Sequence, residues 1–296
     1  MLKRTLLFTS PVYLSLKNEQ LVVCFKDTPD DKRTIPIEDI GFVLIDNPMI
    51  SITMPLVNAL ADNNVALIFC NEKSMPNAML QNLDTHSLQC EILNKQIAIG
   101  EVLKKNLWKQ TIEAKIKNQS KLLMKLGKDG NVLKPYYSNV KSGDADNREG
   151  AAARIYWMRL FGNDFVRDRN FPGINSLLNY GYTILRAATT RALMGSGLLP
   201  AIGIFHHNRS NAFPLADDIM EPYRPYVDEI VYGMFNDGMT ELNQKSKSSL
   251  LHVLFCDTHF SKVTRPLSIA LTMTAASLVK CFSREMDKIS YPLMKI

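Results

Sequence analysis

The chain is written in two periodicities, and it changes from one to the other only once. Up to residue 70 the apolar residues come in short runs rich in β-branched and aromatic side chains: 6–8, 13–16, 21–25, 33–37, 42–45 and 65–70. Runs of that length, separated by polar turns such as Lys17-Asn18-Glu19-Gln20, read as strands. One interruption, residues 54–62, has apolar positions at 56, 57 and 60, the spacing of a helix face, with Thr53 placed to cap it. Residues 71–88 lose all periodicity and collect Pro76, Asp84 and several Asn and Ser. From residue 91 helical spacing takes over. Helices are expected over 91–126 with a break near Gly100, over 148–161 ending at Gly162, and over 174–194. Others follow at 215–220 and 225–235 around Pro222, at 247–256 and at 266–286. The pattern predicts an α+β chain. A small N-terminal β-rich domain (1–72) and a linker (73–90) precede a larger all-helical C-terminal domain (91–296). A length of 296 residues leaves room for both domains.

Composition narrows the class. Hydrophobic residues make up 46% and charged residues 22%, so disorder is excluded as the main state. Five cysteines, at 24, 70, 90, 256 and 281, form no CxxC pair, which argues against a disulfide framework and against a zinc ribbon. Cys24, Cys70 and Cys256 each follow apolar residues and read as small buried hydrophobes in a reducing compartment. The opening MLKRTLLFTSPVYLSL is broken by Ser10 and Pro11 and is followed by no small-residue cleavage site. The most apolar stretch, 269–279, is too short to cross a bilayer. A cytoplasmic, soluble protein with no membrane partner is expected. Most of the net charge of +6 comes from residues 91–130, where nine Lys stand against four acidic residues. Lys104, Lys105, Lys109, Lys115, Lys117, Lys121 and Lys125 are expected along a helix surface, a pattern that mere solvation explains as well as a polyanion does.

No GxxxxGK[ST] loop, GxGxxG turn, GxSxG elbow or HExxH helix is present, which removes the usual signatures of nucleotide hydrolysis, dinucleotide redox and zinc peptidase chemistry. What remains is a set of acids and imidazoles. Gly203-Ile204-Phe205-His206-His207-Asn208-Arg209 precedes Leu215-Ala216-Asp217-Asp218-Ile219-Met220-Glu221-Pro222. Asp218 and Glu221 are three apart and Asp217 and Glu221 four apart, so either pair can share a helix face. Carboxylates held that close repel each other unless a cation sits between them. Oxygen ligands with one imidazole suit Mg²⁺ or Mn²⁺. The competing reading is that the aspartates decorate a helix N-terminus and the histidines are satisfied core groups. Glu149 opens another helix in Asn147-Arg148-Glu149-Gly150, and Asp146-x-x-Glu149 also fits a capping box. Arg148, Arg154 and Arg159 supply donors suited to phosphate oxygens.

These residues carry a family resemblance. Asn147-Arg148-Glu149-Gly150, leading to Ala153-Arg154-Ile155-Tyr156, resembles the first active-site motif of the CRISPR-associated integrase-endonuclease that acquires new spacers. Phe161-Gly162-Asn163-Asp164-Phe165 and Leu178-Asn179-Tyr180-Gly181-Tyr182 are similar to its next two signatures. Gly203-x-x-His206 with Leu215-Ala216-x-Asp218-Ile219-Met220-Glu221-Pro222-Tyr223-Arg224-Pro225 is similar to its metal motif. Glu at the last position resembles the type II form, where the wider family often has Asp.

The resemblance implies that Glu149, His206 and Glu221 bind one divalent ion, Mg²⁺ or Mn²⁺, with Asp218 as a supporting carboxylate; His207 and Asp217 double two of these positions. It implies a metal-dependent DNA endonuclease and integrase for adaptive antiviral defence. Such an enzyme joins the 3′-hydroxyl ends of a captured double-stranded DNA to a CRISPR repeat by transesterification. It further implies a homodimer made through the β-rich domain, with a small ferredoxin-like CRISPR-associated partner bridging two dimers. Type II relatives also work with an accessory ring protein and the RNA-guided effector nuclease. Arg148, Arg154 and Arg224 are expected on phosphates and Tyr180 and Tyr182 at a strand end, although helical aromatics also serve as core. Two other classes stay open: a branched-DNA nuclease with no integration role, and a non-enzymatic DNA-binding scaffold.

Overall fold

The computed structural model describes residues 3–28, 30–80, 82, 86–206 and 208–296. The chain divides into two units, Met1–Thr85 and His86–Ile296. In the first, the six short apolar runs become β1 (Arg4–Phe8), β2 (Val12–Lys17), β3 (Gln20–Phe25), β4 (Lys32–Pro36), β5 (Ile40–Ile45) and β7 (Ala66–Cys70), and the structure adds β6 (Ser51–Ile52) and β8 (Pro76–Met79). They form two four-stranded sheets, ordered β1-β5-β7-β8 and β4-β3-β2-β6. Strands β1, β5 and β7 run parallel and β8 closes the edge antiparallel. β5 is buried at its first five positions, as a central parallel strand covered on both faces must be, which is why it reads as an unbroken apolar run. In β2, Val12 and Leu14 are buried and Tyr13 is exposed, the alternation of a sheet with one face in water. Asn18 and Glu19 take φ of 50° and 57° between β2 and β3, the left-handed pair that a two-residue hairpin turn with the sheet's own twist requires. Helix α1 (Met54–Asp62) buries Leu56 and Leu60 in a core shared with Val12, Leu14, Leu21 and Val23 of one sheet and Ile40, Val43 and Leu67 of the other.

β8 lies inside the stretch expected as linker. It has no apolar alternation of its own and joins the sheet through backbone bonds to β7, so the first unit extends beyond residue 72. Residues 81 and 83–85 of that expected linker lie outside the described residues. Cys24, Cys70 and Cys256 are half-buried, whereas Cys281 is the buried cysteine.

Among its described residues the second unit is helical apart from one hairpin, β9 (Asp257–His259) with β10 (Thr264–Pro266), so it is not the all-helical domain expected. Its helices are α2 (Gln89–Ala98), α3 (Glu101–Lys125), α4 (Lys134–Tyr137), α5 (Arg148–Phe161), α6 (Ile174–Met194), α7 (Pro214–Met220), α8 (Arg224–Asn236), α9 (Gln244–Leu251) and α10 (Leu267–Phe282). Gly100 breaks α2 from α3 as expected. α3 is built of Glu, Lys, Leu, Gln and similar helix formers with no Gly or Pro inside, and at 1.5 Å per residue it is about 37 Å long. It packs against α5, α7, α8 and the single 3-10 turn Glu221–Tyr223 that joins α7 to α8. Buried Asn118 on α3 fastens that turn: its Nδ2 donates to Pro222 O at 2.7 Å and to Pro292 O at 3.1 Å, while its Oδ1 accepts from Met294 N at 3.0 Å. Among the described residues no helix is long and apolar enough to cross a membrane.

α6 and α8 approach closely at Gly181, where an added Cβ would run into Cγ1 of Val227 and lie 3.2 Å from Leu250 Cδ2. Val227 is β-branched and fully buried, so it has little room to turn away. Gly181→Ala is therefore expected to lower unfolding stability by about 1–3 kcal/mol through overpacking. Denaturant titration reads this directly, and an unchanged midpoint would contradict the close approach.

Candidate active site

Glu149 sits in the first turn of α5. Asn147, left-handed at φ 50°, caps the helix by accepting from Gly150 N at 3.1 Å. The Asp144 carboxylate accepts from the N–H groups of Arg148 and Glu149 at 2.8 and 3.0 Å. The capping box weighed for Asp146 and Glu149 does not form. Asp146 pairs with Lys141 at 2.9 Å, and the Glu149 side chain is not needed by the backbone. Its Oε1 lies 2.5 Å from Nζ of Lys115.

Lys115 is a correction to the sequence reading, which put it on a helix surface. It is buried, 8% exposed, on the same face of α3 as Trp108, Thr111, Ile112, Gln119 and Leu122. Its Nζ also lies 2.5 Å from Oε2 of Glu221. Glu221 is buried in the 3-10 turn, and its Oε1 pairs with Arg224 Nη2 at 2.9 Å. Burial alone would push the Glu221 carboxyl up. Arg224 and Lys115 outweigh burial and hold it below the usual carboxylate range. Burial likewise opposes the Lys115 charge, and the Glu221 and Glu149 carboxylates more than restore it, raising its pKa.

His206 is held by Asp218. That carboxylate is fully buried in α7 and gathers the preceding loop around itself. Oδ2 accepts from Ile204 N at 2.6 Å and Phe205 N at 3.0 Å, and Oδ1 accepts from His206 N at 3.2 Å. Oδ1 also meets His206 Nδ1 at 2.6 Å, which leaves Nε2 as the ring's outward nitrogen. The Asp218 hydrogen bond raises the His206 pKa against the effect of burial. Gly203 is required here: a Cβ would stand 2.7 Å from His206 O and 3.1 Å from Asp218 Oδ2. Trp108 stacks on Phe205 at 4.2 Å, and the His206 ring meets both edge-on at 5.5 and 5.8 Å.

Not every expected residue faces this cluster. Asp217 lies in the fork of Arg186, at 2.6 Å from Nε and 2.9 Å from Nη2, and takes a further bond from Asn211 Nδ2 at 2.7 Å. His207 lies outside the described residues. Tyr180 and Tyr182 are buried, so neither presents the exposed ring that a strand-end contact needs. Tyr182 OH donates to Asp228 Oδ1 at 2.5 Å, and Tyr156 OH donates to Asp228 Oδ2 at 2.7 Å. Arg224, expected on a phosphate, lies against Glu221 and 4.6 Å above the Tyr182 ring. Arg154 is exposed, and Arg148 is half-buried with Nη2 3.8 Å from Asp146 Oδ2. Among the described residues, no three His, Cys, Asp or Glu side chains stand close enough to hold a metal ion as they are. An ammonium occupies the position between the two carboxylates.

The family model for the CRISPR associated protein Cas1 matches residues 5–265. The chain belongs to the Cas1 family. The CRISPR-associated endonuclease Cas1 of Neisseria meningitidis serogroup C (strain 8013) is 38% identical over 255 residues, which span 85% of this chain and 83% of that protein. A Cas1 protein from Thermotoga maritima superposes with TM-score 0.77 at 16% identity, covering 95% and 97% of the two chains. A casposase bound to integration product superposes with TM-score 0.79 at 19% identity, covering 98% and 93%. The strand-rich N-terminal unit and helical C-terminal unit are those of the Cas1 fold.

Within this Cas1 chain the network behind the site is built on Asp228. Burial pushes its carboxyl up to about 6, although the two tyrosine hydroxyls, Arg224 and Arg167 pull the other way. Its folded value lies above the unfolded one near 3.9, so the folded chain binds this proton more tightly. The resulting stabilisation is complete below about pH 4 and is lost as the pH rises through 6. Asp228→Asn removes that dependence. The stability of wild type relative to the variant is expected to fall by about 1–3 kcal/mol between pH 4 and pH 7. Urea titrations at the two pH values check this, and parallel profiles would contradict it.

Proposed function

We propose that this Cas1-family chain is a divalent-metal-dependent DNA endonuclease and integrase of CRISPR spacer acquisition, of the type II form. It joins the 3′-hydroxyl of a captured duplex to a CRISPR repeat by transesterification. One observation carries the reading. Two carboxylates from separate elements, Glu149 on α5 and Glu221 before α8, share a single cation in a largely buried pocket. Two carboxylates and one imidazole, the Nε2 of His206, are the donor chemistry that suits Mg²⁺ or Mn²⁺. Lys115 Nζ stands in for such an ion between the carboxylates, so these two side chains fit it. Glu149, Glu221 and His206 would be the ligands. An ion held there supplies charge to the scissile phosphate and lowers the pKa of the attacking hydroxyl or water.

The chain's own groups prepare the rest. Asp218 fixes the His206 ring through Nδ1, so that Nε2 is the nitrogen left for a ligand. Arg224 keeps Glu221 in its carboxylate form at neutral pH. Nε of half-buried Arg148 has no acceptor among the described residues and suits a phosphate oxygen. Exposed Arg154 lies further along α5, where a duplex backbone would contact it. Transesterification conserves phosphodiester bonds and needs no nucleotide hydrolysis, in keeping with a chain that has no GxxxxGK[ST] loop. Captured duplexes exceed one subunit in length. We therefore assign homodimerisation to the β-rich unit and bridging of dimers to a small ferredoxin-like CRISPR-associated partner.

Plasmid integration assays with that partner, Mn²⁺ and a repeat-bearing target test the reading. Glu149→Ala and His206→Ala are each expected to abolish strand joining while leaving duplex affinity nearly unchanged, and chelation should abolish it in the wild type. Integration by either variant would refute the site. Junction cleavage without joining would leave a branched-DNA nuclease, and binding indifferent to chelator a scaffold.

A further inference from the structure

We infer that Lys115 is the site's internal counter-cation, holding the position between Glu149 and Glu221 that a divalent ion takes over by displacing it. This rests on the assignment of Glu149 and Glu221 as ligands. Three observations carry it.

First, the ammonium is placed as a shared ion would be. A single nitrogen stands 2.5 Å from one oxygen of each carboxylate, whereas Arg224 reaches only the other oxygen of Glu221. Second, Lys115 reaches that place from the buried stripe of α3, where a lysine otherwise costs stability unless it neutralises something. Third, the charges balance without a metal. Glu149 and Glu221 are matched by Lys115 and Arg224, so the carboxylates can be held together before any ion arrives. Adding a divalent ion to that set would place it against the ammonium, and like charges at such range exclude each other. Exchanging the ammonium for the ion instead leaves one more positive charge between the carboxylates, which favours an incoming phosphodiester. The structure thus assigns Lys115 a positioning role: it keeps the two ligands converged and yields to the metal.

Competition fixes the sign of the test. A lysine that only braced the fold would, on removal, weaken metal binding or leave it unchanged; a lysine in the ion's place would, on removal, strengthen it. Mn²⁺ binding to full-length protein without DNA, read from the loss of the free-ion electron paramagnetic resonance signal, is expected to tighten about tenfold or more in Lys115→Gln. The same variant is expected to melt below wild type without metal, with the gap closing in saturating Mn²⁺. Unchanged or weaker Mn²⁺ affinity in Lys115→Gln would overturn the inference. Wild type supplies a second measurement should the variant fold poorly. Acetylation of Lys115, followed by mass spectrometry, is expected to be slow without metal and several-fold faster with Mn²⁺, while equally buried Lys247 stays constant. Lys115 protection that does not respond to Mn²⁺ would also overturn it. Glu149→Gln separates the two assignments. If it binds Mn²⁺ as wild type does, the ligand assignment has failed. If it loses binding while Lys115→Gln gains none, only the counter-cation role has failed.

Discussion

A carboxylate buried as deeply as Glu221 stays ionised only if cations are built in beside it, and much of the helical unit is arranged around that demand. Arg224, one turn further along, covers one oxygen; Lys115, arriving from α3, covers the other. Each cation then needs its own support. Arg224 lies over the Tyr182 ring of α6. Tyr182 donates to Asp228 of α8, and Asp228 takes a second hydroxyl from Tyr156 of α5. One buried charge thereby fixes the spacing of α3, α5, α6 and α8. Removing a single member leaves its partner buried and uncompensated, which costs more than the lost contact alone.

The same logic changes what the lysine-rich segment means. Its surplus charge looked like an open surface, yet the protein uses many of these lysines itself. Lys104 and Lys109 pair with Glu101 and Glu113 along α3, Lys125 pairs with Glu229, and Lys128 donates to the carbonyls of Arg159 and Leu160 at the end of α5. Lys117 lies over the Tyr137 ring, and Lys115 is inside. Intramolecular pairing of exposed lysines leaves them charged but reduces what they offer a polyanion, so a net charge of +6 overstates the attraction of this helix for DNA.

Much of this was legible in the sequence, and what was not has physical causes. Strand and helix periodicities placed β1–β5, β7 and every helix except α4, because the spacing of apolar residues records the buried face, whereas β6, α4 and the β9–β10 hairpin are too short to carry a period. β8 escaped because it is held by backbone bonds to β7 and carries no pattern of its own. Glu149, His206, Asp218 and Glu221 stood out as acids and imidazole in a familiar order, but the meeting of Glu149 and Glu221 over one ammonium is a property of helix packing that no local string encodes. Lys115 was hidden by its charge. Its position, three and four residues from Ile112 and Thr111 on the buried stripe of α3, was the available signal. Tyr180 and Tyr182 misled in the opposite direction, since an aromatic beside a motif is as readily a buttress as a contact. Asp146 misled because its i,i+3 spacing to Glu149 satisfies a capping box on paper, whereas Asp144 and Asn147 do the capping.

Exposure around the site gives it a direction. The side chain of Glu221 is 4% exposed, that of Lys115 10%, that of Glu149 30% and that of His206 39%. Exposure rises from Glu221, which Arg224 and the Asn118-tethered turn cover, toward Glu149 and His206. These two more exposed residues are also those oriented from behind: Asp144 and Asn147 hold the helix turn of Glu149, and Asp218 holds the ring of His206. Rigid backing matters most on the solvent side, where a side chain has the fewest neighbours to hold it. A flexible cation at the boundary complements it. Lys115 has a long stem whose head meets the more exposed Glu149, whereas Arg224 is stacked on an aromatic ring and paired at the buried end. The division between a fixed arginine and a lysine that we propose is movable follows from where each sits on this gradient.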